Sequence, residues 1–372
     1  MAGIYIHIPF CKSRCIYCGF YSTTGLELRQ RYVDALCQEV ACRPSSETVA
    51  TIYLGGGTPS QLTISQLKQI FDTLYIYNKV EKDAEITIEC NPDDVTDEFA
   101  KGLTSLPVNR VSMGVQTFSD ERLRFLHRRH TAAQAIEAVA RLREVGIRNI
   151  SIDLMYGFPG ETLDDWHRDI EAAIALNVEH LSAYCLMIEE GTPLYQLRNK
   201  NLELEEEFPS EELERQMYYT IIDRLKTAGY EHYEISNFAH LGYRSRHNSS
   251  YWNGIPYIGL GAAAHSYEVK IRSWNVSDIH QYIDSIENGL PSFEQEQIDD
   301  DTRYNDTITT ALRTRNGLNL NMLSDKHRCY CLHEAQRFID GGLLQLSPDH
   351  HLCLTREGLF VSDMVMSELI MV

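Results

Sequence analysis

The sequence predicts an α/β protein: a parallel sheet of βα units, open or closed into part of a barrel, followed by a small C-terminal α/β domain. Two observations carry this. Six β-rich runs alternate with amphipathic runs of helical period over residues 3–186, and the rhythm changes after about residue 195. The chain has 372 residues, 43% of them hydrophobic, with 21 Tyr and 12 Phe, enough for an ample core and for two or three domains.

The β-rich runs fall at residues 3–8, 51–54, 85–90, 110–115, 149–154 and 180–186. Between them lie helical patterns at 27–42, 64–77, 96–106, 132–145 and 163–176. The run at 132–145 (AAQAIEAVARLREV) has its apolar residues at helical spacing and stops at Gly146, a C-capping residue. Residues 201–215 are strongly acidic and open one helix through residue 228, their charge reading as a solvated face. A strand at 231–235 follows, then a Gly-, aromatic- and His-rich stretch over 237–265. From residue 299, helical runs lead to strands at 343–346 and 351–355 joined by a Ser-Pro-Asp turn.

Charge narrows the function. With 34 basic and 53 acidic residues the net charge is −19, which argues against nucleic acid, a ligand that needs clustered Lys and Arg on its phosphates. No apolar run approaches the ~20 residues that span a bilayer, and MAGIYIHIPF lacks the basic start and cleavage site of a signal peptide. Ten cysteines without a secretory signal suit a reducing, cytoplasmic setting, where short cysteine spacings mean metal or redox chemistry. Peripheral docking at a membrane through a small local patch is left open, and a homodimer has no signature of its own.

Cys11-Lys-Ser-Arg-Cys15-Ile-Tyr-Cys18 places three thiols within eight residues, directly after the first strand. A structural zinc site closes on four ligands, and no fourth Cys or His follows, since Gly19 and Phe20 come next. A cubane iron–sulfur cluster held by three thiolates leaves one iron open to a small molecule. A zinc knuckle completed by His7 or a distant residue is the competing reading. This C-x3-C-x2-C spacing resembles the hallmark of the radical S-adenosylmethionine (SAM) superfamily. Tyr5-Ile-His-Ile-Pro-Phe-Cys11 and Gly55-Gly-Gly-Thr-Pro59 narrow the resemblance to the oxygen-independent coproporphyrinogen III oxidases and their relatives, the HemW-type heme chaperones.

The resemblance implies a partial (β/α)6 barrel with a [4Fe-4S] cluster on Cys11, Cys15 and Cys18 at the C-terminal end of the first strand, and SAM chelated at the open iron. One electron then splits the sulfonium to a 5′-deoxyadenosyl radical. It implies residues 1–235 as that barrel, 236–298 as a His- and aromatic-rich connecting segment, and 299–372 as the C-terminal α/β domain. The glycines after the second strand let backbone approach a ligand unobstructed. Glu89, Gln116 and Asp153 are polar residues at or just past the ends of otherwise apolar strands, where a barrel keeps its site. By resemblance, Tyr5, Tyr17, Gly56, Gly57, Thr58, Glu89, Gln116, Arg128 and Asp153 contact SAM, with Met187 packing on the adenosine. In the oxidases some of these positions hold a second SAM, so Gln116, Arg128 and Asp153 are open to another ligand here.

Three features separate chaperone from oxidase. The oxidases carry a fourth cysteine two residues after the third, where this chain has Phe20. They also have an N-terminal extension of some tens of residues, whereas the first cysteine here is residue 11. Finally, His247-Asn248-Ser-Ser-Tyr251-Trp252 resembles the H-N-x-x-Y-W motif of the heme chaperones. An imidazole can ligate heme iron, Tyr251 and Trp252 offer flat faces to a porphyrin, and Arg244 and Arg246 suit its propionates. The expected function is heme delivery to acceptor proteins, membrane respiratory enzymes among them; the alternative is oxidative decarboxylation of coproporphyrinogen III. His327, Cys329, Cys331 and His333 have ligand chemistry, but on a helix Cys329 and Cys331 point roughly 200° apart. Cys37, Cys42, Cys90, Cys185 and Cys353 sit in apolar patterns and read as buried thiols.

Overall fold

In a computed structural model describing residues 2–371, six parallel strands lie side by side in sequence order: β1 (Ala2–Ile8), β2 (Val49–Gly56), β3 (Val80–Cys90), β4 (Arg110–Gln116), β5 (Asn149–Tyr156) and β6 (His180–Cys185). They curl into a partial barrel with its connecting helices outside. The helices begin where the sequence provides caps. Thr63, Thr131 and Thr162 each close a capping box with the side chain three residues on, Gln66, Gln134 and Asp165. Gly146 ends its helix at φ +92°, as expected of a C-capping glycine.

Strand alternation divides the sheet into two chemically different faces. Ile4, Ile6, Ile8, Ile52, Leu54, Ile86, Ile88, Val111, Met113, Ile150, Ile152 and Leu181 point to the helices and form the main core. The alternate residues are polar or aromatic: Tyr5 and His7, Thr51 and Tyr53, Glu85, Thr87 and Glu89, Arg110 and Ser112, Ser151 and Asp153, His180 and Ser182. A closed (β/α)8 barrel fills its interior with Val, Ile and Leu. This one keeps a hydrophilic chamber.

The sheet extends beyond the barrel at both edges. Past β6 come β8 (Asn237–Ala239) and then β7 (Glu231–Glu234), both antiparallel to their neighbours. Past β1 comes β9 (Tyr257–Leu260), parallel to it, then β10 (His265–Tyr267), β11 (Ile271–Asn275) and β12 (Phe293–Gln297), making twelve strands. Residues 236–298 thus contribute strands to both edges of the one sheet, an arrangement their short, glycine-broken patterns did not announce. The β12 edge is exposed along its length, and its FEQEQ sequence carries charges that discourage further strand pairing.

The C-terminal residues have their own core around Tyr304, Ile308, Leu312, Phe338, Leu352 and Val365. A small antiparallel sheet of β13 (Leu318–Asn319), β15 (His351–Leu354) and β14 (Leu344–Leu346) covers it. Two expectations need correction. The acidic helix expected through residue 228 is two helices, Leu202–Glu207 and Glu211–Thr227, because Pro209 lacks an amide hydrogen and forces Phe208 into extended backbone. Of the five thiols expected to be buried, Cys90 is; Cys37, Cys185 and Cys353 are half-buried, and Cys42, the last residue of its helix, is exposed. Among the described residues no helix is long and apolar enough to cross a membrane.

Trp166 pins the helix Leu163–Ala175 to the barrel. It is fully buried, its ring lies 5.2 Å from Tyr156, and its indole N–H donates to the Met217 carbonyl at 2.9 Å. Trp166→Ala should cost about 3–5 kcal/mol in equilibrium denaturation, from the cavity and the orphaned carbonyl together.

Candidate cofactor site

The cysteine loop springs from the end of β1 and is closed by Thr23, whose amide donates to Pro9 O (2.6 Å) and whose carbonyl accepts from the Cys11 amide (2.9 Å). Cys11 Sγ lies 3.5 Å from Thr58 Oγ1, and Cys15 Sγ accepts from Arg128 Nη1 at 3.5 Å. Burial pushes the Cys11 and Cys18 thiols upward, and each of the two also feels the Cys15 charge. His7 shares one hydrogen bond with the Tyr5 hydroxyl (3.1 Å) and one with Tyr21 O (3.0 Å), so neither ring nitrogen is turned to the thiols. Among the described residues no three Cys, His, Asp or Glu side chains converge on a closed ligand set. The thiols share one loop, with no fourth protein ligand standing ready.

The glycine run supports that loop from the neighbouring strand. Gly56 has φ +105°, and a Cβ there would run into the His7 ring. At Gly57 a Cβ would stand 2.8 Å from Ile8 O and 2.9 Å from Phe10 N, while its amide donates to Ile8 O at 2.9 Å. Only glycine lets the two loops lie this close.

Below the loops the chamber opens. Glu89 accepts from the Tyr53 hydroxyl (2.7 Å) and the Gly56 amide (3.2 Å), yet burial still raises its carboxyl to about 7. Burial likewise raises Asp153 to about 6, against the pull of the Ser182 hydroxyl. Arg128 donates to Asn91 Oδ1 (2.7 Å), Gly114 O (2.5 Å) and Cys15, tying β3, β4 and the cysteine loop together. Gln116, the last residue of β4, has φ +69°; its amide nitrogen sits 2.6 Å from where a Gly114 side chain would begin. Tyr17 feels the charges of Arg128, Cys15 and Asp153, which places its hydroxyl among them, and the Tyr5 and Tyr53 rings stack at 6.2 Å. Met187 stands 65% exposed just past β6. These residues fit the expected groups: three thiols suit an iron–sulfur cluster with one open iron, and the two half-buried carboxylates of Glu89 and Asp153 suit a ligand carrying sulfonium and ammonium charge.

The H-N-x-x-Y-W residues lie at the other end of the barrel. They form the helix Arg246–Trp252, whose first two amides donate to the Glu85 carboxylate at 3.0 and 2.9 Å. His247 is buried, with Nδ1 bonded to Thr51 Oγ1 and Nε2 to the Tyr251 hydroxyl, both at 2.8 Å, and it stacks on Tyr53 at 5.1 Å. Burial and the Arg110 charge hold its pKa near 3, so it is neutral. Arg313 covers the Trp252 ring at 4.7 Å. Arg244 pairs with Glu231, and Arg246 with Asp83 O and Glu81. The motif closes the floor of the chamber, and His247, Arg244 and Arg246, expected to meet heme, are already engaged with protein partners. At the C-terminus, His327 bonds Asp301 (2.7 Å), Cys331 is buried, and Cys329 and His333 face solvent, so the four do not gather.

Sequence reading passed over Tyr53, Asn91, Arg110 and Glu85. Arg110 is fully buried within the field of Glu89, Asp153 and His247, and its Nε and Nη1 have no hydrogen-bond partner among the described residues. The signal was present in the period-two alternation of polar residues along β2–β5.

A family model described as the radical SAM superfamily matches residues 5–173. The heme chaperone HemW of Bacillus subtilis is 37% identical over 335 residues, covering 88% of this chain and 87% of that protein. The heme chaperone HemW of Mycobacterium tuberculosis is 34% identical, covering 99% and 94%. Among solved structures, the Escherichia coli coproporphyrinogen III oxidase HemN, a radical SAM enzyme, superposes with a TM-score of 0.86 over 99% of this chain and 90% of its own, at 21% identity, a likeness of fold. Fold and site define a radical SAM module, a family that implies a [4Fe-4S] cluster and SAM. Within it, the chain belongs to the HemW family.

Cys15→Ala should abolish the visible absorbance of the anaerobically reconstituted cluster; full absorbance with full iron content would overturn the ligand assignment. Glu89 keeps its proton to about 7 when folded but loses it at about 4.3 when unfolded, so the fold loses stability as pH rises through that window and the cost is complete above it. Glu89→Gln should therefore gain thermal stability relative to the unchanged chain between pH 5 and pH 8; a constant difference would refute the assigned burial.

Proposed function

We propose that the protein is a heme carrier: it takes up heme and hands it to heme-requiring acceptors, membrane respiratory enzymes among them, on the cytoplasmic side. The observation that carries this reading is the 37% identity to a heme chaperone along nearly the whole of both chains. Phe20 supports it, standing 71% exposed where the resembling oxidases have a fourth cysteine.

In this reading Cys11, Cys15 and Cys18 hold the cluster, which together with SAM supplies one-electron chemistry at a sulfonium. Tyr5, Tyr17, Gly56, Gly57, Thr58, Glu89, Gln116, Arg128, Asp153 and Met187 surround SAM. Glu89 and Asp153, whose carboxyls burial raises, would supply the negative charge that a sulfonium and an ammonium group call for. Arg128 fixes the cysteine loop over the chamber through Cys15, and the paired glycines let the second loop lie directly against His7 and the start of the cysteine loop. The helix carrying His247, Tyr251 and Trp252 shuts the far end against water.

Anaerobic incubation of reconstituted protein with SAM, reductant and coproporphyrinogen III should yield no protoporphyrinogen by chromatography and mass, beside an authentic oxidase as control. The same preparation should bind heme and pass it to a heme-free acceptor. Product formation would restore the decarboxylase reading.

A further inference from the structure

Among the described residues, Arg110 is the only Lys or Arg on the inward face of β1–β6. It is the first residue of β4 and 1% exposed, and its Nε and Nη1 meet no hydrogen-bond partner there. Its register partner is Thr87 on β3, fully buried, whose hydroxyl is unpartnered as well. Taking a guanidinium out of water is costly unless opposite charge stands near it. Glu85 on β3 already accepts from the Arg246 and His247 amides.

Two inward carboxyls remain. Glu89 lies two residues beyond Thr87 on the same side of β3, and Asp153 on β5 pairs with Gly114, four residues beyond Arg110 on β4. Neither is hydrogen-bonded to the guanidinium. Glu89 meets the Tyr53 hydroxyl and the Gly56 amide, and Asp153 meets the Ser182 hydroxyl. The charge of Arg110 nonetheless acts on both and opposes the upward push of burial, whereas Arg128 does so at Asp153. The other titratable groups that feel these carboxyls are Tyr5, Tyr17, Tyr53, Tyr184, Tyr251 and Cys90, all raised by burial and so neutral at pH 7. His180 and His247, which also feel Arg110, are held neutral by burial and by its charge.

We propose that Arg110 is a positioning residue of the cofactor site: it touches no cofactor atom, and it supplies from below the fixed positive charge against which Glu89 and Asp153 present carboxylates to a sulfonium and an ammonium group. This rests on the reading of the chamber as the SAM site. A guanidinium suits the task because it stays charged at every pH the protein meets. Its charge works in two directions. It repels a cationic ligand directly, and it makes each carboxyl give up its proton at lower pH. Once both carboxyls are ionised by pH alone, only the repulsion is left. Loss of Arg110 therefore weakens binding in mild acid and not in mild base.

Titration calorimetry of the anaerobically reconstituted, cluster-loaded protein with SAM at pH 6 and at pH 8.5 tests this. Arg110→Gln should bind SAM about tenfold more weakly than the unchanged protein at pH 6 and at least as tightly at pH 8.5, with full cluster absorbance. Arg110→Lys, which keeps the charge, should follow the unchanged protein at both. Should Arg110→Gln fail to fold, Arg110→Met, which keeps the apolar stem, carries the same comparison. Equal affinity at pH 6, or an equal loss at both pH values, overturns the inference while the SAM reading stands. If the unchanged protein binds no SAM, that reading falls and the inference with it.

Discussion

Everything in this molecule depends on one constraint: residues in a strand alternate, so a strand that gives isoleucines to the helices must give its other side to something else. Along β1–β6 the other side is Tyr, Thr, Glu, Arg, Ser, Asp and His. The outward residues make the core that holds the sheet together. The inward ones cannot close on one another as a dry core, and what forms is a chamber of polar groups held by short hydrogen bonds such as Tyr53 to Glu89.

Both ends of that chamber follow from it. At the strand ends, β1 and β2 bring the cysteine loop and the glycine loop within backbone contact, and Arg128 reaches across to fasten the thiols to β3 and β4. At the strand starts, the helix Arg246–Trp252 covers the opening with its N-terminal amides on Glu85. His247, Tyr53, Glu89 and Gly56 then form an unbroken line of contacts from floor to rim.

Much of this was legible in the residues. The six βα units, the Gly146 cap and the Cys11–Cys18 loop are local patterns, and local patterns survive folding. The strand-end positions of Glu89 and Asp153 followed from the same rhythm. Reading failed where the answer was a long-range pairing. Nothing in residues 257–297 says that β9 will lie parallel to β1, because that register is set by contacts with chain more than 200 residues away. The partner of His247 was hidden for the same reason: its ring bonds Thr51, on a distant strand. The acidic helix was read as continuous because its charge pattern outweighed the single proline that breaks it.

The raised carboxylates have a consequence for the protein's lifetime. A ligand that binds only the folded chain stabilises it by mass action, and one that brings positive charge to Glu89 and Asp153 offsets the burial that raises their carboxyls. A chain with such a ligand bound would open less often than one without it, and cellular proteases act on open chains.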